Sequence, residues 1–227
     1  MLRSVLEHSF LSMYGLTLIA SIYRYPKYFD TRLQYLPILF CYTLLNEILG
    51  YITAYIPQFG FFSQEPIAYY NQIIYNIYNI IFYLYFFSIY RYYIKSNKVK
   101  TYLFYAIIAF LFACVINPFL QSFLLSSQTY TYVAGGIILI VCIALYLNEL
   151  FKNEREEYFN NNLLVWISSG LLVFYIGYLP IKISRYIHVI NKTTEAPNVR
   201  LVQYGLIILM YLLIIIGFIK QKKRLYD

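Results

Sequence analysis

The chain has 227 residues, of which 61% are hydrophobic and only 12% charged, with a net charge of +8. A soluble domain is nearer half apolar and a quarter charged, so the composition excludes one and predicts a single integral membrane domain over residues 1–227. Basic residues that hold loops on the cytoplasmic side account for the positive balance, so no nucleic-acid partner is expected and the lipid bilayer is the expected surrounding.

Seven apolar spans of near-bilayer length follow one another at residues 6–23, 33–56, 67–94, 101–123, 129–150, 163–187 and 201–219. They predict an all-α fold, a polytopic bundle of seven transmembrane helices. The first span competes with a signal peptide. Only Arg3 precedes it, however, while Arg24, Lys27 and Arg32 follow, the reverse of a signal-peptide charge pattern, so a retained helix is expected.

The segments after spans one, three, five and seven hold Arg24, Lys27, Arg32, then Arg91, Lys95, Lys98, Lys100, then Lys152, Arg155, then Lys220, Lys222, Lys223, Arg224. The other side holds Arg3, Lys182, Arg185, Lys192 and Arg200. This asymmetry predicts an N-terminus outside and a C-terminus in the cytoplasm. The richness in Tyr, Phe, Ile, Asn and Lys suggests an AT-rich bacterial genome, and with it a bacterial cytoplasmic (inner) membrane. Cys41, Cys114 and Cys142 fall inside apolar spans and suggest no disulfide framework. Short connections predict antiparallel neighbours. No internal repeat is evident, since the amides of span three have no counterpart in span seven.

Polar residues recur at one end of the spans. Span one carries Glu7, His8, Ser9 and Ser12. Span two carries Glu47, too deep for an interfacial residue, on one helix face with Thr43, Asn46, Gly50 and Ala54; Gly50 would allow close helix approach. Span three has Gln72, Asn76, Asn79 and Tyr83 at i, i+4, i+7 and i+11, a stripe that lipid cannot satisfy. Its depth predicts a Glu47–amide contact. Asn117 and Gln121 follow in span four, Thr129 to Gly136 open span five, and Tyr175, Tyr178, Lys182 and Arg185 lie in span six. Gln203 and Tyr204 begin span seven.

Together these predict an outward-opening polar crevice, with Glu47, Asn46, Gln72, Asn76, Asn79, Tyr83, Asn117, Tyr175 and Tyr178 as the ligand-binding candidates. Two readings of Glu47 stay open: interhelical packing through hydrogen bonds to Asn, or a ligand or proton role.

Catalytic constellations fail. Asp30 and Asp227 are the only aspartates and both lie in predicted cytoplasmic segments. His8 and His188 are too few for a three-histidine zinc site. Ser168-Ser169-Gly170 has no histidine at its depth, so helix packing is its reading. Residues 206–218 contain no lysine for a retinal. Neither an enzyme nor a metal or cofactor site is therefore expected.

At Leu45-Asn-Glu-Ile-Leu-Gly-Tyr and Ile74-Tyr-Asn-Ile-Tyr-Asn-Ile-Ile-Phe-Tyr the chain resembles a group of small bacterial seven-helix membrane proteins. The resemblance covers spans two and three. It implies an acidic residue in helix two, a Tyr-Asn motif in helix three and an association with sensory signalling. The group tends to carry a second glutamate where this chain has Ile81 or a neighbour, and here none is present.

The expectation for function is a sensor or receptor-like membrane protein. It would take a small-molecule ligand from outside and signal through a protein partner at the cytoplasmic loops and tail. A small carrier or proton-coupled permease using Glu47, and a structural or accessory subunit of a larger complex, are the alternatives.

Overall fold

The computed structural model of the protein describes residues 2–55, 70–153 and 161–221, with the side chains of 9–52, 72–152 and 161–221. The side chains of Glu7, His8 and Ala54, the loop 57–66, Arg155 and residues 222–224 lie outside them. The described residues form seven long α-helices and no strand: α1 (Leu2–Arg24), α2 (Leu36–Tyr55), α3 (Tyr70–Tyr93), α4 (Asn97–Leu120), α5 (Thr129–Asn153), α6 (Leu163–Ile190) and α7 (Val199–Lys220). Five of them, α3 to α7, are long and apolar enough to cross a membrane. In α2 the described side chains give an apolar stretch of Leu36–Ile52.

Local chemistry sets the ends. Asn162 caps α6, its side chain accepting the Leu164 N–H at 2.9 Å. Helix α2 begins at Leu36 and not at 33, because residues 28–35 form tight turns, the Thr31 hydroxyl accepting the Leu33 N–H. Leu33 is apolar because it plugs the core, with Tyr28, at no exposure. Arg24 and Lys27 then donate to the carbonyls of Ile219 and Gln221, satisfying the last turn of α7 with positive charge.

The principal packing pairs are α1 with α2 and α7, α7 with α6, α6 with α5, α5 with α3, and α3 with α2. These six helices close a ring. Helix α4 packs only onto α3 and α5 among its principal contacts and so sits outside the ring. Its outward face is apolar, with Phe112, Val115 and Phe119 exposed, the last at 86%. In water such a face would be a liability; in a bilayer it meets acyl chains at no cost.

At one end the ring is filled solid. Phe40 on α2, Phe86 and Tyr90 on α3, Ile143 on α5, Ile167 and Leu171 on α6 and Ile214 and Phe218 on α7 are all buried there. Gly170 lets α6 and α7 touch, since a Cβ there would lie 2.8 Å from the Met210 carbonyl oxygen. The Ser168 hydroxyl pairs with Tyr90 at 2.8 Å, and that of Ser169 donates to the Val165 carbonyl. Both serines are committed to helix packing. At the other end the ring holds a hollow.

Candidate functional site

The hollow is a cavity of about 480 Å³, lined by residues from all six ring helices and from the α4–α5 loop. It lies where α2 and α6 end and α3, α5 and α7 begin.

Helix α2 contributes Thr43, Asn46 and Glu47, which share a face at i, i+3 and i+4. The Thr43 hydroxyl donates to the Leu39 carbonyl and pairs with the Tyr78 hydroxyl at 2.6 Å. The Tyr75 hydroxyl donates to the Asn46 carbonyl at 3.0 Å. Asn46 is only 4% exposed, yet its side-chain amide nitrogen has no partner among the described residues. Such a donor in a cavity wall is unusual, because buried polar groups are normally satisfied.

Glu47 is half-buried and pairs with no described side chain. Around it, within electrostatic reach, stand the phenols of Tyr14 on α1, Tyr75 and Tyr78 on α3, and Tyr211 on α7. The ring of Tyr14 meets that of Tyr211 edge-on at 4.6 Å. A carboxylate among aromatic rings, without a cation, is an arrangement that attracts one.

Across the cavity α6 presents Tyr175, Tyr178, Lys182 and Arg185, one stripe at i, i+3, i+7 and i+10. The Lys182 ammonium donates to the Ser127 hydroxyl at 2.7 Å and sits 5.2 Å from the centre of the Tyr132 ring. No carboxylate pairs with it among the described residues. Arg185, by contrast, is fully engaged: it forks onto the Glu195 carboxylate at 3.1 to 3.3 Å and donates to the Gln203 side chain at 3.0 Å. Lys192, in the left-handed region at φ 54°, turns the chain after α6 so that Glu195 returns over Arg185. The cavity therefore faces one carboxylate and one ammonium without ionic partners, plus one self-neutralised pair.

Of the candidates named from sequence, Glu47, Asn46, Gln72, Asn79, Tyr175 and Tyr178 line this cavity. Asn76, Tyr83 and Asn117 do not. The Asn76 amide donates to the carbonyls of Phe123 and Ser126 at 2.9 and 3.0 Å and accepts the Gln128 N–H at 3.2 Å, clasping the α4–α5 loop. Tyr83 donates to the Tyr132 carbonyl and packs under Gly135. Asn117 is on α4, outside the ring, and its amide reaches the Thr131 hydroxyl on α5 at 3.3 Å.

The stripe on α3 thus divides along its length. With about 100° per residue, Gln72 and Asn79 lie on one side at roughly 0° and −20°, and Tyr83 and Asn76 on the other at about +20° and +40°. No hydrogen bond joins Glu47 to Asn76 or Asn79 among the described residues, because Asn76 is already saturated by the loop.

Sequence reasoning placed Lys182 and Arg185 among the polar residues of the crevice but not among its ligand-binding candidates, although they extend the Tyr175–Tyr178 stripe by two turns. It also passed over Tyr14, Tyr75, Tyr78 and Tyr211, which in a chain with 29 tyrosines carry no distinguishing mark. No three His, Cys, Asp or Glu side chains come together among the described residues in a way that could hold a metal ion. Comparison with family models, curated proteins and solved structures finds no match.

Proposed function

We propose that this chain is a receptor-like integral membrane protein whose ring cavity opens outward and binds a small molecule, with a partner protein reading the bound state at the opposite, basic end. The observation that carries the reading is the pair of ionic side chains, Glu47 and Lys182, that face one cavity without ionic partners among the described residues. Withdrawing a charge from water is costly, and a packing role would favour neutral residues there.

The closed end supports a receptor over a carrier. Below the cavity the ring is filled by Phe86, Tyr90, Ile143, Ile167, Ile214 and Phe218, so the hollow ends blind. Arg24, Lys27, Arg32 and Arg91 lie at that filled end, which suits a cytoplasmic face and an acidic partner surface there. The seven-span topology, the N-out orientation and the bacterial inner membrane belong to the same proposal.

A proton-coupled carrier is the second reading, favoured by the unpaired state of Glu47 alone. Reconstitution separates the two. Ligand bound by purified protein without uptake into proteoliposomes supports the receptor; uptake that depends on Glu47 replaces it with the carrier.

A further inference from the structure

From the arrangement of charge we infer that the cavity selects a small zwitterion, with an organic ammonium group at the Glu47 end and a carboxylate or similar anion at the Lys182 end. The inference rests on the reading of this cavity as a ligand site and adds the class of ligand. Three observations carry it. Glu47 has no cationic partner among the described residues and shares the cavity wall with Tyr14, Tyr75, Tyr78 and Tyr211, aromatic side chains of the kind that accommodate an ammonium or quaternary ammonium group.

Lys182 has no anionic partner among the described residues. It is held by Ser127 and Tyr132 in the wall of the hollow, with two ammonium donors to spare. Arg185, the other cation in the wall, is neutralised by Glu195, which leaves the two unmatched charges equal and opposite. A ligand with a single charge would leave one of them buried beside it without compensation, and that penalty is what gives discrimination.

The free amide nitrogen of Asn46 adds a third point. It is a donor next to Glu47 in sequence and in the same wall, ready for an acceptor on the ligand. The volume, about 480 Å³, falls in the range of sites for small metabolites. Tyr178 lies within electrostatic reach of both Glu47 and Arg185, so the two charged walls belong to one site.

The test uses matched sets on the full chain in phosphatidylcholine nanodiscs, read by ligand-induced rise in unfolding temperature. One set is L-phenylalanine, phenethylamine, hydrocinnamate and 3-phenylpropanamide. The other is glycine betaine, choline, 3,3-dimethylbutyrate and 3,3-dimethylbutanol. In at least one set the zwitterion should bind roughly tenfold or more tightly than each analogue. Glu47→Gln should lower it to the level of the anion, and Lys182→Gln to that of the cation.

Equal stabilisation by a singly charged or neutral analogue in both sets overturns the zwitterion and leaves the ligand site standing. No stabilisation in either set also overturns it. Whether the ligand site itself survives is then read from the wild-type chain and a small-molecule extract: a rise in unfolding temperature keeps it, and no rise removes it. The wild-type comparison decides the proposal even if a variant fails to fold.

Discussion

The hydroxyl of Tyr75 reaches the carbonyl of Asn46 only because residue 50, one turn further along α2, is glycine. A Cβ on Gly50 would lie 2.6 Å from the Tyr75 oxygen. Gly50→Ala should therefore push the phenol aside and open that wall. Helix propensity favours alanine by up to about 1 kcal/mol, but the displaced ring and lost hydrogen bond should outweigh it by about 1–2 kcal/mol. Tyr75→Phe, which removes the bond and keeps the ring, should cost less. Denaturant unfolding in detergent measures both, and a stabilised Gly50→Ala would show that the contact is dispensable.

Asn76 and Asn79 are one turn apart and should behave oppositely. Asn76→Ala removes three hydrogen bonds to the α4–α5 loop and should destabilise by about 1–3 kcal/mol. Asn79→Ala alters a cavity wall and should leave stability within about 0.5 kcal/mol while changing ligand affinity. Equal unfolding midpoints for the two variants would contradict the division of the stripe.

For Glu47 the expected result is stability without function. It forms no hydrogen bond to a described residue, so Glu47→Gln should fold with a stability change below about 1 kcal/mol and lose ligand binding. A variant that binds as wild type would remove Glu47 from the site.

The bond between Arg185 and Glu195 is half-exposed, with side chains 31% and 23% accessible, so Glu195→Gln should cost less than about 1 kcal/mol in stability. It would release a second cation into the cavity wall. Affinity for 3,3-dimethylbutyrate should then rise several-fold and fall again in high salt. Unchanged anion affinity would mean that Arg185 does not face the ligand.

Topology is checked by labelling. A cysteine at Ser63 should react with an impermeant reagent on intact cells, and one at Ser96 should not. Equal reaction at both sites would undo the orientation, with α1 the first helix to re-examine.

Hydrophobic runs alone made the helices legible, because a long uninterrupted apolar run reads directly as a helix long enough to cross a bilayer, as α3 to α7 are. The α3 stripe and the Glu47 face were also legible, since helical periodicity places residues on faces. What periodicity leaves open is which neighbour a face meets. Asn76 and Asn79 differ by about 60° around α3, and only the placement of α4 outside the ring sends one to a loop and the other to the hollow. Asn117 missed the cavity for the same reason. Lys182 was counted with the polar end of α6 and not with the binding candidates, because periodicity alone does not say that its side chain enters the same hollow as Glu47. At 28 residues, about 42 Å, α6 is longer than a hydrocarbon core is thick.

The glycine contact between α6 and α7 bears on how any signal could leave the cavity. With Gly170 against the Met210 carbonyl and Gly217 against Trp166, these two helices are keyed together as one stiff blade that carries Lys182 and Arg185. Helix α2, which carries Glu47, has only α1 and α3 as its principal neighbours. Pulling the two charged walls toward a common guest should thus swing α2 while the blade stays fixed. Spin labels at Leu45 and Val173, both on exposed positions, should shorten their separation on binding, whereas a pair at Val173 and Leu209 should not.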